Sequence, residues 1–313
     1  KYRRIMTGSP VTKSPLDLFS QVQFLDPWLL EQQSYYGFRA RYAVIVQRSV
    51  GTHSFQHIVK YQRLDELQEK IQNFSTRVLK SDCLDLPEKV YTKRSVSLTP
   101  EQLKAYTEMK KAAITFFEEN VMTAASVLTQ MIRLHQIICG HVKTDDGEVK
   151  PIKNNRIKEL LEVLEETDGK VIIWAVYRYD IQEIERTLGE KYGKESVATY
   201  YGDTKDSIRQ SIVDRFMDAD DPLRFFVGNP KTGGYGLTLT SSHTVVYYSN
   251  DYSLEVRLQS EDRAHRIGQT SKVTYVDLMA DHTIDEKIVK ALNAKIDLAS
   301  QVMGEDPKKI LFG

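Results

Sequence analysis

KVIIWA at 170–175, VATYY at 197–201, RFFVG at 224–228, TVVYY at 244–248 and VTYVDL at 273–278 are five short apolar runs rich in β-branched and aromatic residues. Patterns with helical spacing fill the intervals, at 154–167, 178–190, 204–217 and 254–265. Strands that are apolar on both faces and alternate with helices predict a parallel sheet covered by helices on each side, an α/β fold. A last amphipathic helix is expected over 284–302, introduced by Thr283 and halted at Gly304.

Working outward, the first 150 residues lack this alternation. Arg3–Met6 reads as a short strand running into the turn Thr7-Gly8-Ser9-Pro10, and helical segments are expected over 15–25, 63–73, 100–119 and 121–138. Thr99-Pro100-Glu101-Gln102 opens the third of these, with Thr99 as N-cap and Pro100 at the first helical position.

The chain has 313 residues, 41% hydrophobic and 27% charged, enough for two compact units. It has neither a stretch of about eighteen apolar residues nor a charged-then-apolar leader, which points to a cytosolic protein. Opening on Lys1 and running directly into domain-like sequence, it reads as a fragment. Net charge is zero, yet residues 1–80 carry 12 Lys and Arg against 6 Asp and Glu, with balance or acid excess thereafter. Arg39, Arg41, Arg48, Lys60 and Arg63, interleaved with Tyr35, Tyr36, Phe38 and Tyr42, form either a phosphate-contacting surface or a solvated helical face, and the sequence leaves both open. Cys83 and Cys139 form no CxxC pair. His135, Cys139 and His141 could be drawn as metal ligands, but a fourth is missing and the cluster closes an amphipathic helix ending at Gly140, so we read it as structural.

Two strings carry chemistry. In QSEDRAHRIGQ, 259–269, a helix would place Gln259, Arg263 and Arg266 on one face, presenting two guanidiniums to one phosphate. Arginine suits that task because it stays charged, forks onto phosphate oxygens and stabilises phosphoryl-transfer charge. In NPKTGGYGLTLT, 229–240, three glycines in four residues follow a strand, where backbone can approach a ligand and Lys231 and Thr232 can reach phosphate oxygens. GSPVTKS, 8–14, mimics a phosphate loop but lacks its second glycine, and Pro10 removes a backbone donor. Asp65-Glu66 lies in a polar helical stretch and reads as a surface pair.

QSEDRAHRIGQ resembles motif VI of the Swi/Snf-related family of superfamily-two DNA helicases and translocases. The resemblance implies an arginine-finger role for Arg263 and Arg266, with Gln259 near the nucleotide. NPKTGGYGLTLT resembles motif V, which implies DNA-backbone contacts for Lys231, Thr232 and Gly233 and a nucleotide neighbour in Gly236; Tyr235 departs from the family's frequent carboxylate. MTGSP, 6–10, resembles motif III, which implies that Thr7 and Gly8 lie on the DNA side. KVIIWAVYRYD, 170–180, resembles motif IV, which implies that Trp174 and Tyr177 face DNA. LFSQVQFLDPWLL at 18–30, FSTRVLKSDCLDLPEK at 74–89, TPEQLKAY at 99–106, MIRLHQIICGH at 131–141, YYGDT at 200–204 and DHTIDEKI at 281–288 fit the same family in order.

The resemblance implies a RecA-like second lobe at 151–313, a helical protrusion and linker at 99–150, and the tail of the first lobe with its protrusion at 1–98. ATP and Mg2+ are the implied cofactors of a longer protein whose first lobe carries the P-loop and acidic pair lacking here, so the fragment alone is expected to be inactive and to hold neither tightly. The implied partners are the missing N-terminal lobe and DNA, bound through its backbone without sequence preference, with no membrane partner. The compact protrusions suggest a bacterial or phage enzyme, cytoplasmic, or nuclear if eukaryotic. Two other readings remain at this point: a hydrolysis-deficient DNA-binding or regulatory module, and a structural protein with a recycled lobe.

Overall fold

A computed structural model describes residues 2–50, 53–118, 124–144, 146–233 and 236–303. Gly304, Tyr235 and the start of the helix expected at 121–138 lie outside them. The chain divides into two compact units.

The first unit comprises residues up to Asp85, Ser253–Glu255 and the described chain from Ala291. It holds helices α1 (Asp17–Leu25) and α2 (Tyr35–Tyr42), strands β1 (Ala43–Val50) and β2 (His53–Tyr61), and helices α3 (Leu64–Gln72) and α4 (Lys80–Cys83). Its core gathers Val11, Leu18, Val22, Leu30, Phe38, Tyr42, Leu67 and Ile71, with Ala299 and Val302 from the C-terminal helix. The antiparallel hairpin β1–β2 was not legible in the sequence, and Arg3–Met6 is irregular rather than a strand. A strand needs a ladder partner, and among the described residues none pairs with Arg3–Met6. Part of the basic stretch is used internally. Arg41 forks onto Glu66 at 2.7 and 2.8 Å, Tyr42 donates to the same carboxylate at 2.8 Å, and Arg39 donates to Gln56. Glu66 is therefore a half-buried staple of this unit, while Asp65 beside it is exposed.

The second unit spans Leu86–Tyr252 and Val256–Lys290. Its elements are β3 (Lys89–Ser95), α5 (Pro100–Glu118), α6 (Ala124–Cys139), β4 (His141–Lys143), β5 (Val149–Pro151), α7 (Arg156–Glu165), β6 (Lys170–Trp174), α8 (Arg178–Tyr192), β7 (Val197–Tyr200), α9 (Asp206–Met217), β8 (Phe225–Gly228), α10 (Pro230–Gly233), β9 (Ser242–Tyr247), α11 (Leu254–Glu261) and β10 (Val273–Met279). Helix α12 (Ile284–Met303) begins here. The expected cap at α5 is present as a reciprocal box: Gln102 N donates to Thr99 Oγ1 at 3.2 Å and Thr99 N donates to Gln102 Oε1 at 3.1 Å.

All five expected strands form one six-stranded parallel sheet in the order β3-β10-β9-β6-β8-β7. The sixth, β3, comes from ahead of the alternating stretch and pairs along its whole length with β10. Alternation puts Val171, Ile173, Val227 and Val246 on one face under α7 and α8, through Leu160, Leu164, Ile181 and Ile184. Ile172, Trp174, Phe226, Val245 and Tyr247 line the other face under α9, through Ile212 and Phe216. Every residue of β6 is buried, which is why Val171–Trp174 reads as an unbroken apolar run. The connection after β6 leads toward β7 while that after β9 leads toward β10, so the chain switches direction between these adjacent strands. The carboxyl ends of such strands are where an open α/β sheet forms a crevice. Among the described residues no helix is long and apolar enough to cross a membrane.

Candidate functional site

The glycine turn starts as β8 ends. Asn229 fixes it: its N donates to Tyr200 O at 3.1 Å, its Nδ2 donates to Val176 O at 2.8 Å, its Oδ1 accepts from Lys231 N at 2.9 Å, and its carbonyl accepts from Thr232 N and Gly233 N at 3.0 and 2.8 Å. The short helix α10 that results holds Thr232 half-buried and leaves Lys231 exposed, its Nζ 2.9 Å from Asp251 Oδ2 beyond the end of β9. Lys231 and Asp251 thus mark the crevice at the switch point. Gly236 is exposed, with φ +74°, a conformation suited to glycine, and open space where a side chain would stand.

Trp174 is fully buried, so it cannot meet DNA as motif IV implied. It supports the turn from below. A Cβ on Gly233 would stand 2.7 Å from Trp174 Cη2 and Cζ3, and one on Gly228 would stand 2.8 Å from Cζ3. These glycines are needed for packing against one indole. Tyr177 also turns inward: its hydroxyl is 2.9 Å from His135 Nδ1, and its ring packs against His135 and His141. Burial raises its pKa, keeping the phenol neutral.

The histidines are structural. His141 Nδ1 lies 3.0 Å from Asp180 Oδ1 and His135 Nε2 lies 3.5 Å from Asp285 Oδ1, all buried. Burial raises the Cys139 thiol well above its ordinary value. Among the described residues no group of three His, Cys, Asp or Glu side chains could hold a metal ion. Asp285 also takes the buried Arg156 guanidinium, which donates to Tyr248 O at 2.6 Å and Leu278 O at 2.9 Å.

The helix expected through residue 265 stops at Glu261. Glu261 is buried where Tyr91 and Arg257 donate to its carboxylate at 2.6 and 2.7 Å, while Tyr275 donates to its carbonyl at 3.0 Å. His265 Nε2 is bonded to Pro87 O at 2.7 Å and Gly268 has φ +100°. These bonds replace the helical register with turns over 262–268. Gln259, Arg263 and Arg266 therefore share no helical face, but the arginines still converge. Arg263 Nη1 donates to Leu237 O at 3.2 Å and Arg266 Nη1 donates to the same oxygen at 3.0 Å. Arg263 also donates through Nε to Gln259 O at 2.8 Å, and its carbonyl accepts from Leu239 N at 2.9 Å. Both guanidiniums are half-buried. Burial lowers the pKa of Arg263 and the like charge of Arg266 adds to this, with Asp262 opposing. Arginine remains protonated regardless. Two partly desolvated cations held on one carbonyl form a place where an anion would relieve their repulsion.

Gln269 locks this arrangement. Buried, its Nε2 lies within 3.2 Å of Thr240 O, Ser242 O and Ala264 O, and its Oε1 accepts from Thr270 N and Ser271 N at 3.0 Å each. Asn229 and Gln269 both lie inside the two strings read for chemistry but carried no signal of their own, and Asp251 had none. Thr7 and Gly8 belong to the first unit. Thr7 is exposed, its Oγ1 accepting from Ser9 N at 3.1 Å, and Gly8 has open space around it.

The glycine turn at the sheet's carboxyl edge and the arginine pair joined to it through one carbonyl both lie in a stretch that places the chain in a known class. Residues 152–268 match the helicase conserved C-terminal domain. Residues 1–143 match the SNF2-related domain, and the chain belongs to the SNF2-related family of helicases. An uncharacterized ATP-dependent helicase of Mycoplasma genitalium is 28% identical over 306 residues, covering 96% of this chain and 28% of that protein. The SWI/SNF chromatin-remodeling complex subunit snf22 of Schizosaccharomyces pombe is 27% identical over 322 residues, covering 97% of this chain and 19% of that protein. The chain thus spans less than a third of the length of these relatives. The Sulfolobus solfataricus SWI2/SNF2 ATPase core in complex with dsDNA superposes with a TM-score of 0.55 at 25% identity, covering 94% of this chain and 63% of that one.

Proposed function

We propose that this chain is the C-terminal half of an ATP-dependent double-stranded DNA translocase, supplying arginine fingers to an ATP site whose phosphate loop lies elsewhere in a longer protein. The observation that carries the reading is the convergence of Arg263 and Arg266 on Leu237 O, which links the arginine segment to the glycine turn. A guanidinium has five N–H donors, so this anchoring consumes a minority of them. ATP, when bound, supplies the phosphoryl-transfer free energy. In this reading Arg263 and Arg266 stabilise the charge of transfer, with Gln259 and Gly236 flanking them. The half-buried, like-charged pair fits a polyphosphate. In this reading Mg2+ is held by the acidic pair of the lobe that carries the phosphate loop.

On the same reading Lys231, Thr232 and Gly233 bear on the DNA backbone, and Thr7 and Gly8 lie on the DNA side of the first lobe. Residues 1–98 hold the tail of the first lobe and end in the strand that enters the second lobe's sheet. Residues 99–150 are protrusion and linker, and the second lobe runs from residue 151 to Lys290, after which the described chain packs in the first unit. A phosphate bound by Lys231 would compete with Asp251 for its ammonium, so DNA contact and the state of the crevice are coupled.

The test uses the longer protein that contains this chain. It should displace a third strand from a DNA triplex when given ATP, and a Lys231→Ala/Thr232→Ala variant should do so more slowly on every sequence alike. Sequence-specific DNA binding without ATP turnover would replace the translocase by a regulatory module.

A further inference from the structure

The first unit presents a feature that the ATP and DNA residues named above leave unused. Strands β1 and β2 form a ribbon roughly 25 Å long at about 3.3 Å per residue. Its outer half is exposed on both faces, since Val46, Gln47, Arg48 and Ser49 are exposed on one strand and Ser54, Phe55, Gln56 and His57 on the other. The register makes the two faces different in kind. Arg48 stands opposite Phe55 and Val46 opposite His57, and a register shift between Val44 and Ile45, which skips Val59, puts Lys60 opposite Val44 on the same face, since directly opposed residues share a face. The other face carries Gln47 opposite Gln56 and Ser49 opposite Ser54, and it closes at its base with Ile45 opposite Ile58, the latter packed on the unit's core.

On this face Val46 and Phe55 expose apolar area beside the cations Arg48 and Lys60, and the free hairpin also exposes strand edges, features that mark a contact surface. Its charge identifies the kind of partner. No Asp or Glu occurs between Glu31 and Asp65, while five Lys and Arg do. Arg41 is bound to Glu66 and Arg39 to Gln56, so the internal ion pair removes one cation and leaves Arg48 and Lys60, both exposed, on the ribbon. A partner that matches cations interleaved with an aromatic ring is a nucleic acid. A two-stranded ribbon is of a width that the major groove of B-form DNA admits, whereas the major groove of an RNA duplex is too deep and narrow.

We propose that the β1–β2 hairpin is a second DNA-binding element, which lies in the major groove of a duplex with Arg48 and Lys60 on flanking phosphates and Phe55 and His57 against the groove. It rests on the translocase reading for the identity of the nucleic acid but uses none of the residues assigned there. The hairpin would hold the duplex independently of the glycine turn, giving the enzyme a grip that persists while the crevice contact is released.

The 313-residue chain is tested by fluorescence anisotropy on a 30-base-pair DNA duplex, a single strand and an RNA duplex of the same sequence, over a series of salt concentrations. Arg48→Glu/Lys60→Glu should weaken duplex DNA binding about tenfold or more at low salt, and the milder Arg48→Gln/Lys60→Gln should lower the salt slope by about two, one for each phosphate contact. Both pairs lie outside the unit's core, and an unchanged thermal transition verifies folding. A Lys231→Ala/Thr232→Ala variant runs in parallel. If it weakens binding while the hairpin variants match the parent, the hairpin proposal fails and the translocase reading stands. If the hairpin variants weaken binding and the turn variant does not, the hairpin stands and the turn assignment fails. Absence of duplex binding by the parent at low salt, equal affinity for the RNA duplex, or an effect confined to the single strand would each overturn the groove placement.

Discussion

Replacing Gly233 by Ala should disable the glycine turn through Trp174, and a second substitution should restore it. The added Cβ would stand 2.7 Å from two atoms of the indole, about 1 Å inside ordinary contact. Trp174 has nowhere to go. It is fully buried, edge-on to Phe226 with centroids 5.9 Å apart, and enclosed by the sheet face under α9. The turn must therefore lift, at a cost of about 1–3 kcal/mol for overpacking. In a unit of this size that corresponds to a fall of about 2–12 °C in Tm. Trp174→Phe removes the offending ring atoms, so the double variant should recover at least about 1 kcal/mol relative to the sum of the single changes. Gly228→Ala supplies the control. Its Cβ would meet Trp174 Cζ3 at 2.8 Å but also the Tyr200 carbonyl oxygen at 3.0 Å, and backbone cannot be trimmed. Trp174→Phe should rescue Gly233→Ala and leave Gly228→Ala impaired, in thermal unfolding and in duplex binding alike. Additive effects at Gly233, or equal rescue of both glycine variants, would refute the claim that the indole carries the turn.

Asp285 sets an acid limit on the second unit. Burial alone would raise its pKa, but Arg156 and then His135 outweigh burial and hold the carboxyl well below the ordinary range. The pair's stabilisation is present above the unfolded carboxylate value of about 3.9 and is lost as pH falls below it. Asp285→Asn should lower stability by about 3–5 kcal/mol at neutral pH, because Arg156 is left buried and unpaired, and the loss between pH 5 and 2 should be steeper in the parent than in the variant. Urea unfolding across that range checks both, and equal slopes would contradict the assignment. Gln269→Ala should cost about 1–3 kcal/mol by leaving buried carbonyls at Ser242 and Ala264 unsatisfied, and hydrogen exchange should rise together in 237–242 and 262–269. Protection unchanged in either segment would mean that Gln269 is not the lock. Calorimetry of this chain with ATP and Mg2+ should show no hydrolysis and at most weak binding, and micromolar affinity would reveal a nucleotide site within it.

The strands were legible because burial on both faces leaves a mark in the sequence. Lys170–Trp174 is apolar after its first residue for that reason, and even Lys170 is used inward, its Nζ donating to Leu223 O at 2.9 Å. Strand β3 was hidden because it lies at the sheet's edge and is mostly exposed or half-buried, so Thr92, Lys93, Arg94 and Ser95 are tolerated and leave no apolar run. The hairpin was hidden because its outer half is exposed on both faces, which erases the alternation of inside and outside. At the site, residue types were legible and geometry was not. Arg263 and Arg266 meet as the sequence led us to expect, but through turns set by Glu261, His265 and Gly268 instead of a helix. Trp174 and Tyr177 illustrate the limit of motif reading. A large aromatic at a strand end looks the same in sequence whether it meets a ligand or carries the glycine turn beside it.

The central claim is that Arg263 and Arg266 act on transferring phosphate. Its most direct measurement is DNA-stimulated ATP turnover by the longer protein containing this chain, with Arg263→Ala, Arg266→Ala and Arg263→Lys compared at saturating ATP. Each alanine variant should lose about a hundredfold or more in kcat with duplex affinity retained, and Arg263→Lys should recover little, since an ammonium cannot reproduce the fork. Parental turnover in either alanine variant would contradict the account.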